Sequence, residues 1–367
     1  MKKTIASFAL VIPAAAFAQS NVTMYGILDE GLTYSTNQGG EKNIQMSSGN
    51  LQGTRWGLKG QEDLGGGLAA VFNLESGFDL GKGTLGQGAR LFGRKAFVGI
   101  SSSEYGTVTL GRQYESTVDF ISPFVANEIW GGGLMIHAND MDLTDGTVQL
   151  SNSIKYRSID YRGFSFGGLY QFGGIAGQFA SNSAWSAGTT YAHGPVAFAA
   201  TYLHINSPAT AEFQPLANSP TYTNVIYGNY LAAAQSQDVL AVGSSFKFGH
   251  AQALLSYTNT VYHGGSGGHD VRFGNYEASL GYYFRPTVFG ALSYNFTDGI
   301  NHQNDQTPRY HQVSLMGDYF LSTRTDLYAE LAVQLATSDA QYAQIGGLTA
   351  SSNDRALAAR IGIRHKF

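Results

Sequence analysis

The last eleven residues, Leu357 to Phe367, alternate in a way that leaves few folds open. Leu357, Ala359, Ile361, Ile363 and Phe367 share one parity, interrupted only by His365, while Ala358, Arg360, Gly362, Arg364 and Lys366 share the other. A period of two is that of a β-strand, whose successive side chains leave opposite faces. One face of this strand suits an apolar medium and the other suits water. The rule recurs upstream: Val313, Leu315, Gly317, Tyr319 and Leu321 oppose Gln312, Ser314, Met316, Asp318 and Phe320, and Leu327, Ala329, Leu331, Val333 and Leu335 oppose Tyr328, Glu330, Ala332 and Gln334.

Applied to the whole chain, the pattern predicts sixteen strands. Five, near 21–34, 54–61, 68–75, 92–100 and 107–113, precede a break, and eleven more run from 149–156 to 355–367. The even number lets a sheet close on itself, so that no unpaired backbone edge meets lipid. Connections alternate between short turns, such as 248–250 and 285–286, and long polar stretches, such as 206–238 and 338–353, which is the short-turn, long-loop pattern of an outer-membrane barrel. The segment 62–67 reads as a tight turn. Parity sends Arg55, Lys59, Gln61, Asn73, Glu75, Arg94 and Gln149 inward, the last with Ser151, Ser153 and Lys155. It sends Glu30 and Arg112 outward, against the rule.

Between 114 and 148 the alternation stops, and the stretch carries Glu115, Asp119, Glu128, Asp140, Asp142 and Asp145. A segment that long without regular structure inside a compact domain points to function.

The amino terminus fits export. Lys2 and Lys3 precede an apolar run from Ile5 to Ile12 and an Ala16-Phe17-Ala18 cleavage signal, so residues 1–18 read as a signal peptide and 19–367 as one barrel domain. Loss of the leader leaves 20 of the 22 basic residues against 26 acidic ones, a net charge of about −6, which argues against a nucleic-acid partner. Charged residues make up only 13% of the chain, against about 25% in soluble domains, while Gly, Tyr and Phe are abundant. Without cysteine there is neither a disulfide framework nor thiolate chemistry, and no cofactor or metal site is expected.

The segments Met24-Tyr25-Gly26-Ile27-Leu28-Asp29, the run from Arg55 to Gly65, Phe97-Val98-Gly99-Ile100, the run from Gly106 to Tyr114 and Ile363-Arg364-His365-Lys366-Phe367 resemble the trimeric general-diffusion porins of the Gram-negative outer membrane. The resemblance covers the whole exported chain. It implies a transmembrane antiparallel β-barrel of sixteen strands, all-β, with a constriction loop at 114–148 folded into a water-filled lumen. It implies a homotrimer, contact with outer-membrane lipids and lipopolysaccharide, and delivery to the barrel-assembly machinery through the closing strand, with Phe367 as the assembly signal. On the same ground Arg55, Arg94 and Lys59 match a basic ladder, with Gln149 where its third arginine would fall, facing Glu115, Asp119, Glu128, Asp140 and Asp142 on the loop. Glu30 and Arg112 are expected at the subunit contact.

Other motifs carry less. Gly163-Phe164-Ser165-Phe166-Gly167 fits the nucleophile-elbow string but lies inside a strand pattern. The stretch from Gly81 to Gly86 fits the dinucleotide string, yet no helix is expected after it. Asp140, Asp142 and Asp145 match a calcium loop only in part, and His263 and His269 share a Gly-rich loop. An outer-membrane lipase or protease is the alternative function, but no compact constellation supports it. The reading that accounts for both ladder and loop is a channel for passive diffusion of ions and small hydrophilic solutes, with weak ion selectivity.

Overall fold

The computed structural model describes residues 21–210 and 223–367, so the leader expected at 1–18 lies outside the described residues. The strands form one closed antiparallel barrel. Sixteen of them make the wall. Glu41–Ser48 and Arg55–Gly65 pair in succession with the same strand, Asn21–Gln38, and count as one interrupted strand, while the two-residue piece Thr84–Leu85 pairs only with Phe78 and Asp79. Closure comes from the first and last strands, in register from Ile27 opposite Lys366 to Ser35 opposite Ala358. Gly26 and Phe367 extend this seam by exchanging backbone hydrogen bonds of 3.0 and 3.1 Å. A Cβ on Gly26 would overlap the Phe367 ring, so glycine is what lets the ring lie flat on the seam.

Parity becomes inside and outside. Leu327, Leu331, Ile361 and Ile363 are exposed on the outer face, while Tyr328, Ala332, Arg360 and Arg364 are buried on the inner one. On the long-loop side the ladders run further than hydropathy alone predicts: 276–284 is the later part of His269–Arg285, and 251–262 is the earlier part of Ala251–Ser266. Pairing there satisfies backbone groups and needs no lipid-facing side chain. Arg55–Gly65 likewise continues through the expected turn 62–67, and the chain reverses over Gly65, Gly66 and Gly67, all at positive φ.

Four neighbouring strands are short. Lys95–Ser102, Gly106–Gln113, Leu150–Arg157 and Phe164–Gln171 have eight residues each, and between the middle two the chain leaves the wall and folds against the inner face of the opposite side. Leu134, Met141, Leu143 and Val148 of this loop pack with Leu203, Val239, Tyr262 and Phe273 of the wall, and Trp130 and Met135 pack with Leu254, Phe289 and Met316. The break in the second strand, 49–54, also turns inward. Asp29 holds it by accepting from the backbone of Leu51 at 2.7 Å and Gln52 at 2.9 Å, and Asn50 O accepts from Gly133 N on the loop at 2.8 Å. Gly132 has φ +48°, and a Cβ there would overlap Asn50 O, so both its backbone angle and its space require glycine.

Polar bonds fix the loop's position. His137 is buried between Asp142, 2.5 Å from Nδ1, and Glu277 of the wall, 2.8 Å from Nε2. Thr258 and Asn275 of the wall donate to Asp142 at 2.5 and 3.2 Å, and Ala126 N donates to Glu277 at 2.9 Å. Burial by itself would depress the His137 imidazole, but the two carboxylates outweigh it and raise its pKa to about 10. Burial would raise Asp142, yet His137 holds it below the ordinary carboxylate value.

Two outcomes are expected. Gly26→Val should displace the Phe367 ring and cost about 1–3 kcal/mol of barrel stability, as overpacking does. Phe367→Ala in that background should recover most of it, read as the temperature at which β-structure is lost. Replacing His137 with Gln leaves two buried carboxylates facing each other and should cost roughly 3–5 kcal/mol. The sign is set by the raised imidazole: its stabilisation is complete below pH 6.5 and disappears as pH rises through about 10. Thermal melts of the wild type should therefore lose stability on the alkaline side, and those of His137→Gln should not.

Candidate functional site

The inner wall opposite the loop carries three cations around one carboxylate. Glu75 Oε1 lies 2.8 Å from Arg94 Nε, and Oε2 lies 3.8 Å from Arg55 Nε and 3.9 Å from Lys95 Nζ. Tyr25 donates its hydroxyl to Oε2 at 2.8 Å. Arg94 faces the lumen as expected, but not through parity, which it shares with the outward Ala96: it precedes the strand Lys95–Ser102. Its backbone bonds to Glu75 O at 3.1 Å, and its guanidinium sits 5.5 Å above the Tyr114 ring. Lys59 stands lower, 5.3 Å above the Tyr25 ring. Glu75 was read as inward but given no role at the narrowing, and Lys95 was not singled out from sequence, although it has the parity opposite to the outward Ala96, Val98 and Ile100.

Of the loop acids, Glu128 faces this cluster. It feels the charges of Arg94, Arg55 and Lys95, yet no ion pair closes the gap. Beside it Asp145 accepts from Asn127 Nδ2 at 3.0 Å. Burial first, and then the charge of Asp145, raise Glu128 to about 7, while burial raises Asp145 to about 6.

The other expected acids do different work. Glu115 is fully buried and caps the helix Ser116–Phe120 by accepting from Thr117 N and Val118 N, with burial raising it to about 7. Asp140 closes its own turn, accepting from the backbone of Asp145 at 2.8 Å and of Thr147 at 3.1 Å. Asp142 belongs to the His137 lock. Asp119 forms an ion pair with Lys155, below the cluster. None of these four aims at Arg55 and Arg94: backbone donors inside the loop take up Glu115 and Asp140, while His137 and the wall residues Thr258, Asn275 and Lys155 take up Asp142 and Asp119.

Gln149 requires a correction. Asn152 has φ +48°, and the register slips between Gly111, opposite Ser153, and Gln113, opposite Leu150. This bulge inverts parity above it. Leu150 turns inward into the loop's core, while Gln149 and Ser151 turn outward to Arg112, whose guanidinium donates to Gln149 Oε1 at 3.2 Å and Ser151 Oγ at 2.7 Å. Arg112 also donates to Gly93 O at 2.7 Å and is only 8% exposed. The carboxylate of Glu30 lies beside Ser48 and Gly81, screened from water, with no well-formed hydrogen bond among the described residues.

Nothing catalytic assembles at the other motifs. Ser165 sits within the strand Phe164–Gln171, and Gln87 and Gly88 have left-handed backbone, so no right-handed helix follows Gly86. His263 bonds Asp238 and Asp270 at 2.8 and 3.0 Å.

Residues 5–339 match the Gram-negative porin family. An outer membrane porin of Bordetella pertussis is 32% identical over 73% of this chain and 72% of its own length, and outer membrane porin protein 32 of Delftia acidovorans is 28% identical over the full length of both. Among solved structures, an anion-selective porin from Comamonas acidovorans superposes with a TM-score of 0.75 at 22% identity, over 95% of this chain and 100% of that one. The trimer form of the Vibrio cholerae outer membrane protein OmpT gives 0.68 at 15% identity, over 95% and 99%. A closed barrel of sixteen strands, a polar inner face and these relatives lead to one conclusion: the chain belongs to the Gram-negative porin family, as a non-enzymatic channel of the outer membrane.

Proposed function

We propose that this porin conducts small ions and hydrophilic solutes with a modest preference for anions. The observation that carries the reading is the charge balance at the narrowing, where Arg55, Arg94 and Lys95 surround Glu75 and face Glu128 and Asp145. Opposed charges across a channel set up a transverse field, and the excess of one sign tilts ion preference. With Glu128 and Asp145 raised toward neutrality, the excess is positive. The anion selectivity named for the Comamonas relative agrees with this reading.

We further propose a homotrimer in which Glu30 and Arg112 lie at the subunit contact. Both are on the outer face, and the wall is low at Gly106–Gln113 and Leu150–Arg157, so a neighbouring copy can cover it. Membrane lipids and lipopolysaccharide then meet the rest of the outer face. Phe367, on the exposed closing seam, serves as the signal read by the assembly machinery.

Planar-bilayer recordings test the channel reading. At 0.1 M KCl, Glu128→Gln should shift the reversal potential toward anions by about twofold in permeability ratio, since one charge about 8 Å away in water contributes about 0.5 kcal/mol. Lowering the pH from 8 to 5 should move the wild type the same way, because Glu128 and Asp145 take up protons across about 7 and about 6. Both effects should shrink at 1 M salt, where the Debye length is about 3 Å. A cation preference at low salt that persists at pH 5 would overturn the reading.

For the interface, Arg112→Leu should lower the temperature at which the oligomer dissociates on gels. An unchanged temperature would remove Arg112 from the contact.

A further inference from the structure

Below the constriction, at the end where short turns join the strands, the lumen holds a cavity of about 790 Å³. Lys59, Lys95, Lys155 and Arg157 line it, against Asp63 and Asp119. Asp119 is taken up by Lys155. Arg157 stands 5.0 Å from the Phe120 ring, and neither Arg157 nor Lys59 has a carboxylate within ion-pair distance among the described residues. Two apolar side chains, Val71 and Phe97, share this otherwise polar inner face and are only partly buried.

Register places these groups. Lys59 lies opposite Asn73, and Asn73 opposite Phe97, so cation and ring occupy one rung of the sheet, two strand spacings or about 10 Å apart. Lys95 is two residues before Phe97 on the same strand and face. Val71 lies diagonally adjacent to Phe97, on the next rung. An aromatic ring on a water-filled wall contributes little to the stability of the barrel, because it stays in contact with solvent. Beside two amines that reach over the same space, it offers a surface that an inorganic anion cannot use.

We propose that this vestibule is a transient binding subsite for small aromatic carboxylates. The carboxylate is held by Lys59 and Lys95, and the ring lies on Phe97 and Val71. The subsite rests on the anion preference argued above and names the solute class that would gain most from it. Its effect is to concentrate such solutes in the lumen without closing the channel to chloride.

Single channels in dilute KCl provide the test, with benzoate as the probe and gluconate as a carboxylate with a polyhydroxyl body. Benzoate should lower chloride conductance saturably, at a half-blocking concentration about tenfold below that of gluconate, the size expected from an apolar contact of one ring face. Phe97→Ser should erase that difference by weakening benzoate alone, whereas Phe97→Leu, which keeps an apolar surface, should retain most of it. Equal block by the two anions in the wild type, or a Phe97→Ser effect that weakens both alike, overturns the subsite. A wild-type reversal potential on the cation side in KCl instead overturns the anion preference itself, so the two failures are read from different measurements.

Discussion

Backbone hydrogen bonding in hydrocarbon is the constraint on which everything else in this molecule depends. No helix among the described residues is long and apolar enough to cross a membrane, so the amide groups that pass through lipid must be satisfied between strands. A sheet meets that requirement only if it has no edge. The seam between Asn21–Gln38 and Arg355–Lys366, extended by Gly26 and Phe367, removes the edge. Closure then separates the two parities of every strand into lipid and lumen, and each charged residue on the inner face becomes part of the channel.

The lumen divides into two halves with different chemistry. Against the later strands the constriction loop makes a packed interior, with Leu134, Met141, Trp130 and Tyr262 buried as in a soluble core and His137 locked between Asp142 and Glu277. Against the first six strands the wall stays polar, and the cations around Glu75 face water and Glu128. The dry half holds the loop in place. The wet half is left for solute, and the loop's position decides how wide it is and which charges line it. Gly132 against Asn50 matters for the same reason, since it ties the loop to the inward fold of the second strand.

Charges in this barrel fall into groups whose environments differ more than their residue types suggest. Arg360 with Glu330, and Arg364 with Asp326, pair within the inner wall at 3.2 and 3.0 Å and add little net field. Arg112 fills the low stretch of wall where the loop departs. The cations at the narrowing outnumber their direct partners, and that excess reaches solute.

Much of the architecture was legible from sequence because a period of two is local. The parities of Leu327, Leu331, Ile361 and Ile363 against Arg360 and Arg364 follow from the pattern alone, as do the number of strands and the break at 114–148. The inner-face Leu203, Val239 and Tyr262 carried a signal that the reading of parity did not use, since a lumen face with apolar residues requires something packed on it. What sequence could not supply were the placements set by tertiary contact. A single bulge at Asn152 inverted the parity of Gln149, because one residue at positive φ moves every residue above it to the other face. Arg94 was read as inward and is, but only because the chain turns before its strand begins, since its parity is that of the outward Ala96. Which loop acid faced the cations depended on where Glu115, Asp140 and Asp142 found backbone donors and wall partners. Those partners, such as Thr258, Asn275 and Glu277, lie more than a hundred residues away and come within hydrogen-bonding distance only when the barrel closes around the loop.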